Sequence, residues 1–410
     1  MSHALSPSRE RWVLLTLAGV QFTHILDFMI MMPLGPQFTQ LLGISNAQFG
    51  LLVSAYTLSA GASGLMAAMY VDQFDRKRLL LVMYTLFGLA TLSCGLAPTY
   101  GWLMLARVAA GVFGGVLSAL SQTIVADVVP FERRGRAMGV VMTSFSVSTV
   151  AGVPLGLFLA AHWSWHVPFF AIAILVLLLI VVARQTLPVI DAHLHHPHRT
   201  SAWGSLARVL ADTNHLKAFA LSGLMMFAGF TVIPYITIYM QFNAGMHPEQ
   251  IPWIYLAGGA ATLVSARYFG HLTDRLGKAQ TFRRLAVVVC LPLLMITMAA
   301  GLPVWALMLI STSMFMAMSG RMIPGMALIS SASVPHVRGT FMTLNASVQS
   351  AGMGLAAIAG GLIIGRDAQG HLTHYWMAGL LGALVSLSTI WMAGKVHMHE
   401  AGPRPATSQS

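Results

Sequence analysis

The chain of 410 residues is 56% apolar and only 9% charged, with a mean hydropathy of +0.73. These values exclude an ordinary soluble globular domain, in which about 25% of the residues are charged. The formal net charge of +11 leaves acidic lipid and nucleic acid open as partners until the placement of the charges is known.

Long apolar runs predict that the chain crosses a membrane twelve times. Each run has close to the ~20 residues that a helix needs to span the hydrocarbon, and none has the alternation of a barrel strand. Because backbone groups in lipid must bond within a helix or a closed barrel, the runs predict an all-α membrane protein. The spans are predicted at 13–34, 48–71, 79–98, 101–124, 137–160, 167–187, 217–241, 251–273, 284–302, 304–330, 340–364 and 374–394.

The longest polar gap runs from Arg184 to Lys217, between the sixth and seventh spans. It predicts a linker between two six-helix bundles, with a surface helix within 201–216. The predicted divisions are an N-terminal bundle at 1–187, a cytoplasmic linker at 188–216, a C-terminal bundle at 217–394 and a cytoplasmic tail at 395–410.

Positive charges lie almost entirely on one side of the predicted spans. Nineteen of the 23 Lys and Arg residues lie in loops on that side, and only Arg366 lies in the opposite loops. Because cytoplasmic loops carry the excess of Lys and Arg, we expect both termini in the cytoplasm and the chain in a bacterial inner membrane. The nineteen are Arg9, Arg11, Arg76, Lys77, Arg78, Arg133, Arg134, Arg136, Arg184, Arg199, Arg208, Lys217, Arg275, Lys278, Arg283, Arg284, Arg338, Lys395 and Arg404.

Cysteine and histidine positions indicate neither a disulfide framework nor a metal site. Cys94 and Cys290 lie in separate predicted spans, without metal-ligand spacing. The histidines between His193 and His198 are interrupted by Pro197 in a polar linker, which favours a flexible tract over a metal site. We therefore expect no metal and no cofactor. We also expect a monomer, whose partners are protons, a small-molecule substrate and membrane lipids, and not nucleic acid.

The two halves of the sequence repeat each other. Motifs that recur at one nearly constant offset are typical of a duplicated six-helix unit. The end of span 2 and the end of span 8 match at an offset of 202, and later positions match at 204 or 205. The matching segments are Ala68-x-x-x-Asp72 with Asp75-Arg76-Lys77 against Gly270-x-x-x-Asp274-Arg275-x-Gly277-Lys278, Val129-Pro130 against Val334-Pro335, and Gly156 against Gly360.

These segments resemble the loop signature G-x-x-x-D-x-x-G-R-K of the major facilitator superfamily. Gly152-Val153-Pro154-Leu155-Gly156 in span 5 is similar to its antiporter motif, and Arg107-x-x-x-Gly111 in span 4 to the companion arginine motif. With Ile25-Leu26-Asp27 ahead of Pro33-Leu34, the set resembles the twelve-helix drug:proton antiporters, in particular the arabinose-efflux-like branch. Ala68 and Asp75 depart from the signature, because the family has glycine at both positions.

The resemblance implies the major facilitator fold, with twelve transmembrane helices in two pseudo-symmetric six-helix bundles that rock about a central cavity. It also implies gating roles for the loop motifs and a role for span 5 in sealing the protein against proton leak. The implied gating residues are Asp72, Arg76, Lys77, Asp274, Arg275, Lys278, Gly152, Pro154 and Gly156.

Asp27 is the one acidic residue deep within a predicted span, about fifteen residues into span 1 and near the bilayer midplane. An ionised carboxylate is costly there, which favours proton exchange over a purely structural ion pair. His24 and Gln21 precede it by one and two turns, so we expect one polar stripe facing a cavity. His24 is either a proton relay or substrate contact, or a neutral histidine bonded within the bundle.

Two arginines within spans are further candidates. Arg321 lies near the midplane in the second half, and we expect it to face the same cavity as Asp27 and to bind substrate or act in gating rather than be a structural partner. Arg107 either takes part in proton coupling, as the resemblance implies, or extends its side chain to the nearby outer interface.

Asn345 and Gln349 lie four residues apart on span 11 and therefore face one way. They either contact substrate or bond between helices.

The predicted function is secondary transport without covalent chemistry: proton-coupled export of a small organic molecule or drug, by antiport. No nucleophile elbow, metal cluster or P-loop indicates an enzyme or an ATP-driven pump. The open alternatives are a symporter that imports a small nutrient, efflux of sugars or nucleosides, and a receptor that transports nothing.

Overall fold

A computed structural model describes residues 6–130, 133–190, 202–334 and 337–398. Almost all of this part is helical, and its helices form twelve rods in two halves of six. The N-terminal rods are α1 Pro7–Ile30 with α2 Gly35–Leu41, α3 Asn46–Tyr70, α4 Arg76–Gly95, α5 Tyr100–Val128, α6 Arg134–Val147 with α7 Val153–His162, and α8 His166–Thr186.

The C-terminal half follows a short helix, α9 Ala202–Ala211, that lies between the halves in sequence. A small antiparallel hairpin, β1 Gly365–Arg366 with β2 Leu372–Thr373, connects the last two rods. The C-terminal rods are α10 Thr213–Phe230 with α11 Ile236–Phe242, α12 Ile251–Leu276, α13 Lys278–Val288 with α14 Cys290–Thr297, α15 Val304–Ser331, α16 Arg338–Ile363 and α17 Tyr375–Ala393.

Eleven of the described rods are long and apolar enough to cross a membrane. The remaining rod, α12, has 26 residues, but Arg267, Asp274 and Arg275 make it less apolar. The rods leave both ends of the described chain on one side of the bundle, which we call the terminal side. The opposite side, where the loop between α2 and α3 lies, is called the far side.

Local signals in the sequence explain where several rods begin. The Ser45 hydroxyl accepts from Gln48 N while the Gln48 side chain accepts from Ser45 N, which is a capping box that satisfies two free backbone donors of α3. The Thr99 hydroxyl accepts from Trp102 N at the start of α5. These polar residues therefore end the loops and fix the first turns.

Three predicted spans have clearly wrong boundaries. Span 9 was expected at 284–302, but its rod runs from Lys278 to Thr297. Span 1 was expected at 13–34, but its rod begins at Pro7, turns at 31–34 and continues to Leu41. Span 7 was expected from 217, but α10 begins at Thr213. The rods of spans 1 and 7 break beside a proline, Pro33 and Pro234, because proline lacks a backbone N–H and cannot continue the helical hydrogen bonds.

The surface helix expected within 201–216 exists as α9. Val209 of α9 is fully buried in an apolar cluster that also holds Phe282 and Phe341, so α9 packs on the terminal side of the C-terminal half. The predicted flexible tract from His193 to His198 lies outside the described residues. The divisions predicted at 188–216 and 395–410 are also only partly described.

Apolar packing joins the halves unevenly. One buried cluster runs through the N-terminal half and continues into the far side of the C-terminal half, for example from Phe49 to Tyr235. The cluster on the terminal side of the C-terminal half is separate from it. The halves therefore share a core mainly on the far side.

Glycines allow the closest contacts between rods. A Cβ added at Gly352 of α16 would lie 2.6 Å from the Gly223 carbonyl oxygen of α10, whereas one added at Gly339 of the same helix would meet no atom within 4 Å. A backbone carbonyl inside a helix cannot move aside as a side chain can, so a methyl group at Gly352 requires the two rods to separate.

We therefore expect Gly352→Ala to lower the stability of the protein by about 1–3 kcal/mol through overpacking. Gly339→Ala is the matched control and should be neutral or slightly stabilising, because alanine is the better helix former. The measurement is the melting temperature of both purified variants in detergent. Equal melting temperatures would contradict the close contact of α10 and α16.

Candidate functional site

Asp27 and Arg107 form an ion pair inside the N-terminal half. Arg107 Nη1 donates to Asp27 Oδ2 at 2.7 Å and to the Asp27 carbonyl oxygen at 3.2 Å. Both side chains are completely buried. The pair joins α1 to α5 and is the only ion pair within a rod interior among the described residues.

The hydrogen bonds of this pair are incomplete. Asp27 Oδ1 and the Nε and Nη2 atoms of Arg107 are buried without a hydrogen-bond partner in the described part of the chain. Burying two charges is costly, and a partly satisfied pair is weak evidence of a stabilising role. Such groups are retained where they serve function, which makes the pair the leading candidate site.

The structure places Arg107 differently from one of the two sequence interpretations. Its guanidinium is fully buried, so the interpretation in which its side chain extends to the outer interface is wrong. The Tyr56 ring of α3 lies 4.5 Å from Arg107 Cζ in a cation–π contact. The negative face of the ring attracts the cation and competes with the carboxylate for it.

Asp27 does not continue the polar stripe of Gln21 and His24, which was the expectation from sequence. Gln21 Oε1 and a ring nitrogen of His24 hydrogen-bond to each other, whereas Asp27 turns away into the N-terminal half. His24 is partly exposed and lies one turn from Phe28, whose ring stacks on Phe230 of the other half. His24 therefore faces the space between the halves.

Arg321 also fails to face a cavity shared with Asp27. Its Nη1 donates to Ser386 Oγ at 2.8 Å and its Nη2 to the Met225 carbonyl oxygen at 2.9 Å, and only 2% of the residue is exposed. Both partners lie in the C-terminal half. Arg321 thus joins α15 to α10 and α17, and the expected common cavity with Asp27 is wrong.

The two amide side chains of span 11, Asn345 and Gln349, differ in their hydrogen-bond partners. Gln349 Nε2 donates to Ser222 Oγ at 3.0 Å and contacts Met326 Sδ at 3.1 Å, so it bonds α16 to two neighbouring rods. Asn345 is 1% exposed, and its Oδ1 has no hydrogen-bond partner among the described residues. Gln349 makes the interhelical bonds that were one of its two interpretations.

The loop motif of the N-terminal half joins three rods on the terminal side. Arg76 Nε contacts Asp127 Oδ2 at 2.9 Å, which ties the start of α4 to the end of α5. Lys77 Nζ donates to the carbonyl oxygens of Arg184 and Leu187 at 2.8 and 2.6 Å. A cation there complements the negative end of the α8 dipole. Asp127 was not identified from the sequence.

Asp75 occupies its motif position without strain. It has φ −58°, so the position does not need the freedom of glycine. Its carboxylate accepts from Arg78 N at 2.7 Å and from Ile190 N at 3.1 Å, which caps α4 and holds the start of the linker. The matching Gly277 has φ +86° and does need that freedom.

The loop motif of the C-terminal half makes fewer contacts. Lys278 Nζ donates to Ser331 Oγ at 2.6 Å, and Asp274 and Arg275 are exposed. The side chain of Asp72 lies outside the described side chains. The two copies of the motif therefore differ in their contacts, although they match in sequence.

Span 5 bends within its motif. The residues Ser148–Gly152 form a π-helical turn between α6 and α7, directly before Pro154, and such turns are frequent at functional sites. A Cβ at Gly152 would lie 2.9 Å from Leu26, and one at Gly156 2.6 Å from Ile30. The glycines thus allow close contact with α1, near Asp27.

Contacts between the halves close the far side. Asn46 Nδ2 donates to the carbonyl oxygens of Ile364 and Gly365, each at 3.2 Å. The Phe49 ring of α3 meets the Tyr235 ring edge-on across the halves, and the Tyr235 hydroxyl is held within its own half by donating to the Ala357 carbonyl oxygen at 2.5 Å. Together with the continuous far-side core, these contacts leave His24 on the terminal side of the seal.

Known proteins resemble this chain over nearly its whole length. The sequence profile of the Major Facilitator Superfamily matches residues 17–357 and 218–408. The MFS-type transporter YbcL of Bacillus subtilis (strain 168) is 24% identical over 376 residues, which cover 92% of this chain and 94% of that protein. Multidrug resistance protein 2 of the same organism is 23% identical over 281 residues, 67% of this chain and 70% of that protein.

Solved structures share the fold. A D-xylose–proton symporter aligns with a TM-score of 0.76 and 17% identity, over 94% of this chain and 97% of that one. A bacterial homologue of the human lysosomal transporter Spinster, in an inward-facing and occupied conformation, aligns with a TM-score of 0.66 and 16% identity over 88% and 83%. At these identities the likeness concerns the fold alone.

Removing the cation of the pair should destabilise the protein. We expect Arg107→Met to cost about 3–5 kcal/mol, because it leaves the Asp27 carboxylate buried without a partner. Adding Asp27→Asn should recover most of that loss, since no buried charge remains. The melting temperatures of both single variants and the double variant at neutral pH test this. A double variant no more stable than Arg107→Met would contradict the interpretation.

Proposed function

Because the chain belongs to the major facilitator superfamily, we propose that it is a proton-coupled antiporter that exports a small organic molecule or drug by alternating access. The observation that carries the proposal is the buried and incompletely bonded pair of Asp27 and Arg107. A carboxylate in this setting exchanges a proton at the cost of its ion pair, so protonation and local structure are linked. The multidrug resistance relative supports export over import.

Coupling follows from the competition between a proton and Arg107 for the same carboxylate. Protonation of Asp27 neutralises the group and weakens its hold on Arg107 Nη1, which frees α5 from α1. Deprotonation restores the pair. In an antiporter the substrate must disfavour the protonated state, and linkage makes this antagonism reciprocal.

The far-side seal supports alternating access. With both termini in the cytoplasm of a bacterium, the terminal side would face inward. Substrate would enter from that side, toward His24, and outward release would require the bonds of Asn46 to the C-terminal half and the contact between Phe49 and Tyr235 to break. His24 and Gln21 would then contact substrate or carry protons.

The gating motifs support the same cycle. The contacts of Arg76 and Lys77 hold α4, α5 and α8 together, so the N-terminal half moves as one body. The π-helical turn before Pro154 would supply the bend of span 5, and Gly152 and Gly156 would seal it against α1. The protein works as a monomer in the inner membrane, with protons and one small molecule as its partners.

Proton movement is the direct test. In inverted membrane vesicles held acidic inside by respiration, we expect addition of a transported compound to make the lumen more alkaline, because each entering molecule releases protons outward. A panel of cationic dyes, antibiotics, sugars and nucleosides, read with a pH-sensitive dye, separates the substrate classes. Movement of protons into the lumen would instead indicate symport, and no response to any compound would favour a receptor.

Asp27→Asn should abolish this response, since an amide resembles the protonated acid but cannot titrate. Because the variant leaves the Arg107 charge buried without its partner, its elution profile and melting temperature are compared with the wild type first. Glu249→Gln is the control, because Glu249 is exposed in a far-side loop. Coupled transport that persists in Asp27→Asn would remove Asp27 from the mechanism. His24→Gln would then be the next variant to examine.

The orientation can be tested separately. A green fluorescent protein fused after Ser410 should fluoresce and alkaline phosphatase fused there should be inactive, because each reports the compartment in which it folds. Fusions after Gly245, in the far-side loop that follows α11, should give the reverse. Matching results at both positions would overturn the predicted topology.

A further inference from the structure

Tyr56 of α3 touches three parts of the candidate site at once. Its hydroxyl donates to the His24 carbonyl oxygen at 3.2 Å and lies 3.5 Å from His24 Nδ1. One face of its ring meets Arg107, with 4.5 Å between Cζ and the ring centroid. The ring also stacks on Phe28 at 5.4 Å and 22°. Tyr56 therefore separates the space between the halves from the ion pair.

Two glycines of α5 hold Tyr56 in this position. A Cβ at Gly114 would lie 2.5 Å from the Tyr56 hydroxyl oxygen, and a Cβ at Gly111 would meet the Tyr56 backbone, 2.9 Å from its Cα. Only residues without a side chain let α3 approach α5 so closely. The ring is thus 4% exposed and fixed beneath the guanidinium.

The stack continues into the other half of the protein. Phe28 lies between Tyr56 and Phe230, with 6.2 Å and 19° between the rings of Phe28 and Phe230. Phe230 is the last residue of α10, next to the break that precedes α11. Any movement of the halves that separates α1 from α10 must pull this stack apart.

In the present geometry the two charged groups of the ion pair share one hydrogen bond and not two. Arg107 gives one Nη group to one carboxylate oxygen, while Asp27 Oδ1 remains without a hydrogen-bond partner among the described residues. The Tyr56 ring lies against the guanidinium, with 4.5 Å between Arg107 Cζ and the ring centroid, and so takes up space into which the guanidinium would otherwise turn. If the ring withdraws, Arg107 can turn both Nη groups toward the carboxylate, and a bidentate pair stabilises the ionised form more strongly than a single contact.

We infer that Tyr56 is a positioning residue that transmits the relative position of the halves, and the occupancy of the space beside His24, to the Asp27–Arg107 pair. The inference rests on the proposed proton-coupled transport. With the stack closed, the ring holds Arg107 in single contact, which favours the protonated form of Asp27. Substrate beside His24 opens the stack, so that Arg107 closes on the carboxylate with both Nη groups and the ionised form is favoured. The stack therefore has two arrangements, closed and open. Both the occupancy of the space beside His24 and the state of the Asp27–Arg107 pair shift the equilibrium between them.

The groups that face Asp27 are few among the described residues. They are Arg107 from α5, Thr91 and Cys94 from α4, Tyr56 from α3 and, through Tyr56, His24 from α1. Cys94 is fully buried and interacts with both members of the pair. Cys94 and Cys290 are the two cysteines of the sequence, so Cys290→Ser leaves Cys94 as a single built-in reporter of the site.

The first experiment needs no substrate. In full-length Cys290→Ser protein in detergent, we measure the rate at which N-ethylmaleimide alkylates Cys94, with and without Phe230→Ala. Opening the stack should change that rate about threefold or more, which corresponds to the coupling seen between contacting residues. The change should persist in Tyr56→Phe, which keeps the ring, and vanish in Tyr56→Leu. Phe227→Ala, on the same helix but outside the stack, is the control.

The outcomes separate coupling from packing. If Phe230→Ala changes the Cys94 rate equally in Tyr56→Leu, or changes it no more than Phe227→Ala does, the inference is overturned. Because Tyr56→Phe retains the shape of the side chain, it serves as the folded reference should Tyr56→Leu lose stability. A matching elution profile and melting temperature establish that each variant is folded.

The second experiment uses ethidium as the probe in proteoliposomes with an imposed pH gradient. Tyr56→Leu should still move ethidium down its own gradient but lose acceleration by the pH gradient, whereas Tyr56→Phe should keep both. Acceleration retained in Tyr56→Leu would overturn the inference. The proposed function would instead be overturned if the pH gradient did not change ethidium movement by the wild type and Asp27→Asn moved ethidium as the wild type does. The alkylation rates of Cys94 would still decide the role of Tyr56.

Discussion

Burial of a carboxylate and a guanidinium in a medium without water is the constraint on which the N-terminal half depends. Neither charge of the Asp27–Arg107 pair reaches solvent, so each needs the other, and α1 and α5 must stay in register. The glycines of α5 admit α3 so closely that the Tyr56 ring becomes the third partner. A site with so few partners responds strongly to the gain or loss of a single proton.

The two halves hold their buried charges differently. The N-terminal half contains the buried pair of a carboxylate and a guanidinium, whereas the hydrogen-bond partners of Arg321 among the described residues of the C-terminal half are a hydroxyl and a carbonyl. Arg321 cannot lose its charge, so it is a fixed feature. Asp27 can change charge. In the proposed mechanism, titration therefore belongs to the N-terminal half, and the C-terminal half supplies a constant partner across the Phe28–Phe230 contact.

The connection between the halves on the terminal side has its own anchor. Asp75 bonds the backbone of Ile190, and Lys77 bonds the last carbonyls of α8. The start of the linker is therefore fastened to the N-terminal half, while α9 packs on the C-terminal half through Val209. In the proposed cycle, each of these two anchors would move with its own half. The aspartate that departs from the family signature is what provides the first of them.

The sequence by itself determined the class of protein, the number of spans and the repeat, because apolar runs, charge placement and motif spacing are local properties of the chain. It also identified Asp27 and Arg107 one at a time. Only the tertiary structure decided that they pair, that Arg321 turns into its own half and that Tyr56 joins them, because the direction of a side chain depends on which rods pack together. A helical period specifies a face, and packing specifies what that face meets.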